Sequence, residues 1–200
     1  MQPCSLFLVT NSENRVKLGK AAFIHQHLIE DCKRGSDHAR FEIYKLYSKA
    51  MFNVCYRMMN NREDAEDLLQ EVFLQAFSKL DSFRYESSFG SWLKTITVRT
   101  CINAINKRKL DLVYCDEVCD QRPPEEESDA VKLTSKDILK AMEELPEGGR
   151  IVFSLYLLEG YDHGEIAQIL GITESTSKSQ FMRAKRRVQD ILRNQQMRTA

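Results

Sequence analysis

Glycine and proline are scarce, eight and four among 200 residues. A chain so poor in turn-forming residues lacks the punctuation of a many-stranded sandwich or barrel. Nor does any apolar run approach the roughly 20 residues that a membrane-spanning helix requires. The short patch "LFLV" near the start has no basic residue before it, so it lacks the layout of a signal peptide. There is no glycine-rich phosphate loop, no catalytic carboxylate pair and no internal repeat. Cys115 and Cys119 are four apart, but no second Cys or His pair stands near them; His25 and His27 lie towards the start and His163 much later. No metal site, cofactor or small-molecule substrate is therefore expected, and no enzyme. The six cysteines are scattered, which in a helical chain without a leader suggests reduced thiols in a cytoplasm. Net charge is also absent, 29 basic residues against 29 acidic.

What is present is helical composition, rich in Ala, Leu, Glu, Lys, Arg and Gln, with charge distributed in blocks. Lys79 to Lys109 holds seven basic residues and two acidic. Asp111 to Asp129 holds eight acidic residues and one basic, and Ser175 to Ala200 seven basic and one acidic. Two basic blocks flank an acidic one. Residues 1–27 show no clear period and read as a tail. From Leu28 the helical period is plain, and "FEIYKLYSKAMFNVCYRMM" sets Phe41, Tyr44, Tyr47, Met51, Val54, Cys55 and Met58 at helical spacing. "NNRED" reads as a break and restart with Asn60 or Asn61 as N-cap. The helix that follows carries Ala65, Leu69, Val72, Ala76 and Leu80 on one face and Asp67, Gln70 and Glu71 on the other. "DSFRYESS" is a loop, and Ser87 or Ser88 can cap a long helix reaching Lys109. Residues 111–134, with a double proline and an acid run, read as a mobile linker. Helical pattern returns at Ser135. The expected fold is all-α, two small helical domains joined by a flexible acidic linker.

"GEIAQILGITESTSKSQFMRAKRR" has the layout of a helix-turn-helix. Ile166, Ile169 and Leu170 form an apolar face, Ala167 permits close crossing, Gly171 supplies the turn, and Thr173 or Ser175 can cap the second helix. On that helix Phe181, Ala184, Val188, Ile191 and Leu192 gather on one side. Ser175, Lys178, Ser179, Met182, Arg183 and Arg186 gather on the other, with Thr176 at the edge, a basic and hydroxyl stripe suited to DNA. Ser177 falls on the apolar side, where an aliphatic residue would pack better. The first half has nucleic-acid features too. Phe83, Arg84 and Tyr85 lie in a loop ahead of Phe89 and Trp92, and Arg99, Asn103, Lys107 and Arg108 follow on the helix. Aromatics stack on unpaired bases while cations hold the backbone.

These residues resemble a known family. "DAEDLLQEVFLQAF", "LDSFR", Trp92-Leu93 and the basic cluster are similar to the second conserved region of sigma-70-type initiation factors. "LPEGGRIVFSLYLLEGYDHGEIAQILGITESTSKSQFMRAKRRV" is similar to their fourth. The ordered pair, spanning about Leu28 to Arg193, resembles the extracytoplasmic-function (ECF) group. The resemblance implies a factor that binds core RNA polymerase and recognises and melts promoters. Asp67, Gln70 and Glu71 would meet the clamp coiled coil. Phe83, Arg84, Tyr85, Arg99, Asn103, Lys107 and Arg108 would serve the −10 element. Residues 28–110 would be region 2 and 135–200 region 4, which would read the −35 element through its second helix and meet the polymerase flap. The linker would thread towards the active-site and RNA-exit channel. A membrane-bound anti-sigma factor is a common partner in this group. Many members carry Asn seven residues after the Trp, where this chain has Arg99. The rival reading is a stand-alone helix-turn-helix repressor or activator, which would bind its operator tightly without polymerase.

Overall fold

A computed structural model describes residues 25–111 and 134–197. Among these, every regular element is helical. The expected tail and linker, with Cys115 and Cys119, fall largely on residues 1–24 and 112–133, outside the described residues.

The first half contains α1 (Gln26–Lys33), α2 (Asp37–Met59), α3 (Arg62–Ser78), a 3-10 turn (Leu80–Ser82) and α4 (Phe89–Asp111). Local chemistry sets most of the boundaries. Gly35 adopts φ +88° and separates α1 from α2, and the Ser36 side chain then accepts a hydrogen bond from the Ala39 amide at 3.3 Å. The two adjacent asparagines divide their work. Asn60 closes α2 in the left-handed region that Asn tolerates, while the Asn61 side chain accepts from the Asp64 amide at 3.2 Å and opens α3. Ser88 caps α4, accepting from the Ser91 amide at 3.2 Å. The core of this half joins Ile29, Ile43, Leu69, Val72, Phe83, Phe89 and Leu93. The predicted stripe on α2 is displaced at its start. Phe41 and Tyr44 stay exposed, and Ala39 and Ile43 are buried instead with Ile29 and Cys32 of α1. The packing of α1 on the start of α2, which the period within "FEIYKLYSKAMFNVCYRMM" does not encode, selects the buried edge.

The second half contains α5 (Ser135–Glu143), α6 (Glu147–Leu157), α7 (His163–Leu170) and α8 (Glu174–Met197). Thr134 and Asp137 form a reciprocal capping box on α5, and Asp162 and Glu165 form another on α7. Gly149 lies where a Cβ would meet the Ala184 Cβ at 3.5 Å, so α6 and α8 cross closely. Ala141, Met142, Leu145, Phe153, Val188, Ile191 and Leu192 make the core. Arg150 is buried, and its guanidinium donates to the Leu145 carbonyl at 3.0 Å; burial lowers its pKa.

The halves also pack on each other. Val54, Cys55 and Met58 of α2 and Val98, Cys101 and Ile102 of α4 share one buried cluster with Ile151, Val152 and Leu155 of α6 and Ile166 of α7. The side chain of Glu159, just past α6, is buried at this seam and pairs with Arg57 and Lys94 of the first half. Lys94 Nζ donates to the Glu159 carbonyl at 2.8 Å. Tyr56 donates to a Glu143 carboxylate oxygen at 3.2 Å, and the Asn60 amide donates to the Glu143 carbonyl at 3.0 Å. The seam is not filled throughout. A cavity of about 160 Å³ remains between Ile105, Asn106, Ile172 and Thr176, which makes the contact looser than a continuous domain interior. Two helical regions were expected; their joint core was not. Cys32, Cys55 and Cys101 are free and buried. A hydrogen bond with Cys55, then burial, raises the pKa of the Cys101 thiol.

Candidate functional site

Three surfaces were expected to do the work, and the fold builds each differently. The simplest is α3. Its Ala65, Leu69, Val72 and Ala76 side faces the core, which leaves Asp67, Gln70 and Glu71 exposed along the outer face. Leu74 continues that row one turn on and is 72% exposed. Leu74 is absent from the expected outer face because a leucine in an amphipathic helix is by default a core residue. Its position three residues after Glu71 was the available signal.

The loop ahead of α4 differs from expectation at one position. Phe83 was expected to be a free aromatic in a loop, but it is 3% exposed. It packs among Tyr85, Phe89 and Trp92 with ring centroids at 4.7, 5.6 and 5.2 Å, so it is a core residue and does not present its face to a base. Helix α1 adjoins it: Ile29 and Cys32 belong to the same buried cluster, and Lys33 Nζ donates to the Phe83 carbonyl at 3.4 Å. Tyr85 is half-buried in a left-handed conformation, φ 61°. Its hydroxyl donates to Glu30, and Lys33 Nζ sits 4.9 Å from its ring centroid. Burial, then the hydrogen bond to Glu30, raises the Tyr85 pKa, while the same bond lowers that of Glu30. Arg84 is exposed at the tip. On α4, Arg99, Asn103 and Lys107 are exposed on successive turns. Arg108 is paired with Asp64 at 2.6 Å, which ties the end of α4 to the start of α3. The positive charge of Arg99 acts on the half-buried Tyr161 phenol of the second half, whose pKa is raised chiefly by burial. In this arrangement one edge of the α4 face lies against the seam.

The turn between α7 and α8 is the third surface. Gly171 closes α7 at φ +67°, a conformation suited to glycine. Thr173 Oγ1 accepts from the Thr176 amide at 3.1 Å and so caps α8. Ala184, Val188, Ile191 and Leu192 are buried beneath, and Phe181 is half-buried. Ser175, Lys178, Ser179, Met182 and Arg183 are exposed above, while Thr176 and Arg186 are partly covered at the edges. Lys178 is held by Glu174 at 2.6 Å in an exposed pair, the kind of contact that contributes little and exchanges readily for a phosphate. The stripe is thus a basic and hydroxyl surface on a rigid support.

Residues 43–110 match the family described as Sigma-70 region 2, and residues 135–188 match Sigma-70, region 4. The ECF RNA polymerase sigma factor SigW of Bacillus subtilis is 30% identical over 179 residues, which cover 83% of this chain and 95% of that protein. The chain belongs to the ECF sigma factors. A second relative, the ECF RNA polymerase sigma-E factor of Escherichia coli, is 26% identical over 84% of this chain and 96% of its own length. Among solved structures, the sigma factor RpoE of Bartonella quintana, in complex with the anti-sigma factor NepR, superposes with a TM-score of 0.51 at 26% identity; the match covers 76% of this chain and 95% of that one. An ECF sigma factor is a transcription initiation factor that directs RNA polymerase to promoters, and this chain carries both regions in the order that role requires. No described helix is long and apolar enough to cross a membrane.

Proposed function

We propose that this sigma factor divides its work among the three surfaces. Residues 28–110 act as the core-docking and −10 half, and residues 135–200 as the −35 half. Asp67, Gln70, Glu71 and Leu74 of α3 engage the clamp coiled coil of core polymerase. Arg84, Tyr85, Arg99, Asn103, Lys107 and Arg108 serve the −10 element, with Phe83 supporting the loop from beneath. Ser175, Thr176, Lys178, Ser179, Met182, Arg183 and Arg186 face the −35 element. The factor works in the cytoplasm without catalysing a reaction of its own. An anti-sigma partner, such as the one bound by the Bartonella protein, is a reasonable regulator. The observation that carries the −35 assignment is the division of α8 into a buried side, apolar but for Ser177, and an exposed basic and hydroxyl side.

The test is run-off transcription with purified core polymerase. Wild type should initiate specifically with core enzyme and bind promoter DNA weakly and salt-sensitively alone. Tight operator-like binding without core enzyme would favour the rival repressor. Lys178→Ala and Arg183→Ala should each weaken −35-dependent initiation. A residue that pairs with a base should cost about 1–3 kcal/mol and relax preference at one position, whereas a phosphate contact should weaken all sequences alike. Equal transcription from all three proteins would make this face an ordinary solvated one.

Arg99 and Asn103 supply a second prediction. Arg offers donors, a full charge and a flat stacking surface, whereas Asn offers both donors and an acceptor. Arg99→Ala should slow promoter opening and raise salt sensitivity with the preferred sequence retained. Asn103→Ala should relax preference within the −10 element. Transcription from a randomised −10 library reads both, and the reverse pattern would exchange the two roles.

A further inference from the structure

Ser177 has no exposed surface, a burial expected of an aliphatic residue at this point of the turn motif. Its hydroxyl is not orphaned. Ser177 Oγ and His163 Nδ1 lie 2.9 Å apart, in a hydrogen bond whose donor depends on the imidazole tautomer. His163 is the first residue of α7, and its position is set by the Asp162–Glu165 capping box. Its ring is stacked on Tyr156, centroids 4.4 Å apart and planes 12° apart, and Phe181 of α8 meets it edge-on at 5.7 Å. A ring gripped in this way offers Nδ1 in one direction.

The location of Ser177 on α8 is what matters. At about 100° per residue, Arg186, Ser179, Met182 and Ser175 all fall within roughly 40° of the point diametrically opposite Ser177. The hydrogen bond therefore pins the back of the helix directly behind the centre of the DNA-facing stripe. Apolar contacts are non-directional and tolerate some rotation of a helix in its groove. A rotation of about 20°, at the roughly 5–6 Å radius of a helix with side chains, displaces a polar group by about 2 Å, enough to lose a hydrogen bond to a base edge. Phosphate contacts, made by long flexible side chains, tolerate that shift better.

We propose that His163 and Ser177 are a positioning pair that sets the rotation of α8, and with it the sequence discrimination of the −35 surface. This rests on the reading of α8 as the −35 helix. The pair touches no base and acts through the residues on the far side of the helix.

The experiment separates the ring of His163 from its nitrogen. His163→Phe keeps the stack on Tyr156 and removes Nδ1. His163→Asn removes the ring and places a side-chain amide close to where Nδ1 lay. Ser177→Ala removes the other partner. Each full-length variant is assayed with core polymerase on promoters carrying matched and substituted −35 elements, and thermal midpoints are recorded in parallel. The expected result is that His163→Phe and Ser177→Ala lose about fivefold in discrimination, the worth of one ordinary hydrogen bond, largely by gaining use of substituted promoters. His163→Asn should keep its discrimination while losing thermal stability. Unchanged discrimination in His163→Phe and Ser177→Ala overturns the proposal, as does loss in His163→Asn, which would assign the effect to ring packing. Arg183→Ala is run alongside. If it too leaves promoter use unchanged, the −35 reading of α8 has failed and the pair falls with it; if it has its expected effect, the outcome bears on the pair alone.

Discussion

Asp67→Lys combined with Glu71→Lys should lower affinity for core polymerase about 100-fold or more. On the proposed docking role two charge-assisted contacts are removed, each worth about 1.5–3 kcal/mol, and lysines replace the acidic groups which that role sets against a basic partner surface. The fold should not change, because both side chains point away from the core side of α3, and the hydrogen bond that Glu71 accepts from Gln75 at 2.8 Å is an exposed one. Leu74→Ala should cost less, and its loss should not depend on salt, since it removes apolar area and no charge. Titration of labelled factor with core enzyme, at two ionic strengths and with thermal midpoints measured in parallel, reads all three effects. Unchanged affinity in the double variant would end the docking role of this face.

Much of this surface could be read in the sequence. On α3, α7 and α8 the 3.6-residue period alone separates buried from exposed positions, and the caps at Asn61, Ser88 and Thr173 are short-range chemistry. What escaped the reading depends on distant partners. Phe83 is buried in a cluster shared with Ile29 and Cys32 of α1, and nothing within "DSFRYESS" encodes that. Ser177 looked misplaced because its partner, His163, lies fourteen residues earlier. Phe41 and Tyr44 failed for the same reason: a stripe of apolar residues names a face, but which edge of it is covered depends on the element packed there. The cluster shared by the two halves was missed because each half has a complete helical pattern by itself.

Glu159→Ala should separate the halves. Its side chain is 5% exposed and its carboxylate faces Arg57 and Lys94, whose side chains are 20% and 29% exposed. Removing one member of a buried ion pair strands the others, at about 3 kcal/mol, and the cost falls on the closed arrangement alone, because open halves leave both cations in water. The functional demand runs the same way. The names of the two promoter elements set them about 25 base pairs apart, about 85 Å at roughly 3.4 Å per pair. Helices α4 and α8, held together through one shared cluster, cannot attend to both. The variant should therefore show a larger radius of gyration by solution scattering. It should also bind core polymerase more tightly, since the competent fraction no longer divides the intrinsic affinity. Exchanging all three charges, with Arg57→Glu, Lys94→Glu and Glu159→Arg together, should restore much of the compact radius. An unchanged radius and an unchanged core affinity in Glu159→Ala would show that this ion pair does not hold the halves together.

The three buried cysteines have a consequence for handling and for measurement. A thiol buried away from water is out of reach of a dissolved reagent. Cys32, Cys55 and Cys101 should therefore be silent towards alkylating reagents and mild oxidants while the fold is intact. Each becomes reactive only when its own cover lifts: Cys32 when α1 detaches from α2, Cys55 and Cys101 when α2 and α4 part or the second half lifts from the cluster they share. The rate at which iodoacetamide modifies each sulfur is then a clock for local opening at that place. The chain carries its own timepieces for the first half, and no label need be introduced to read them.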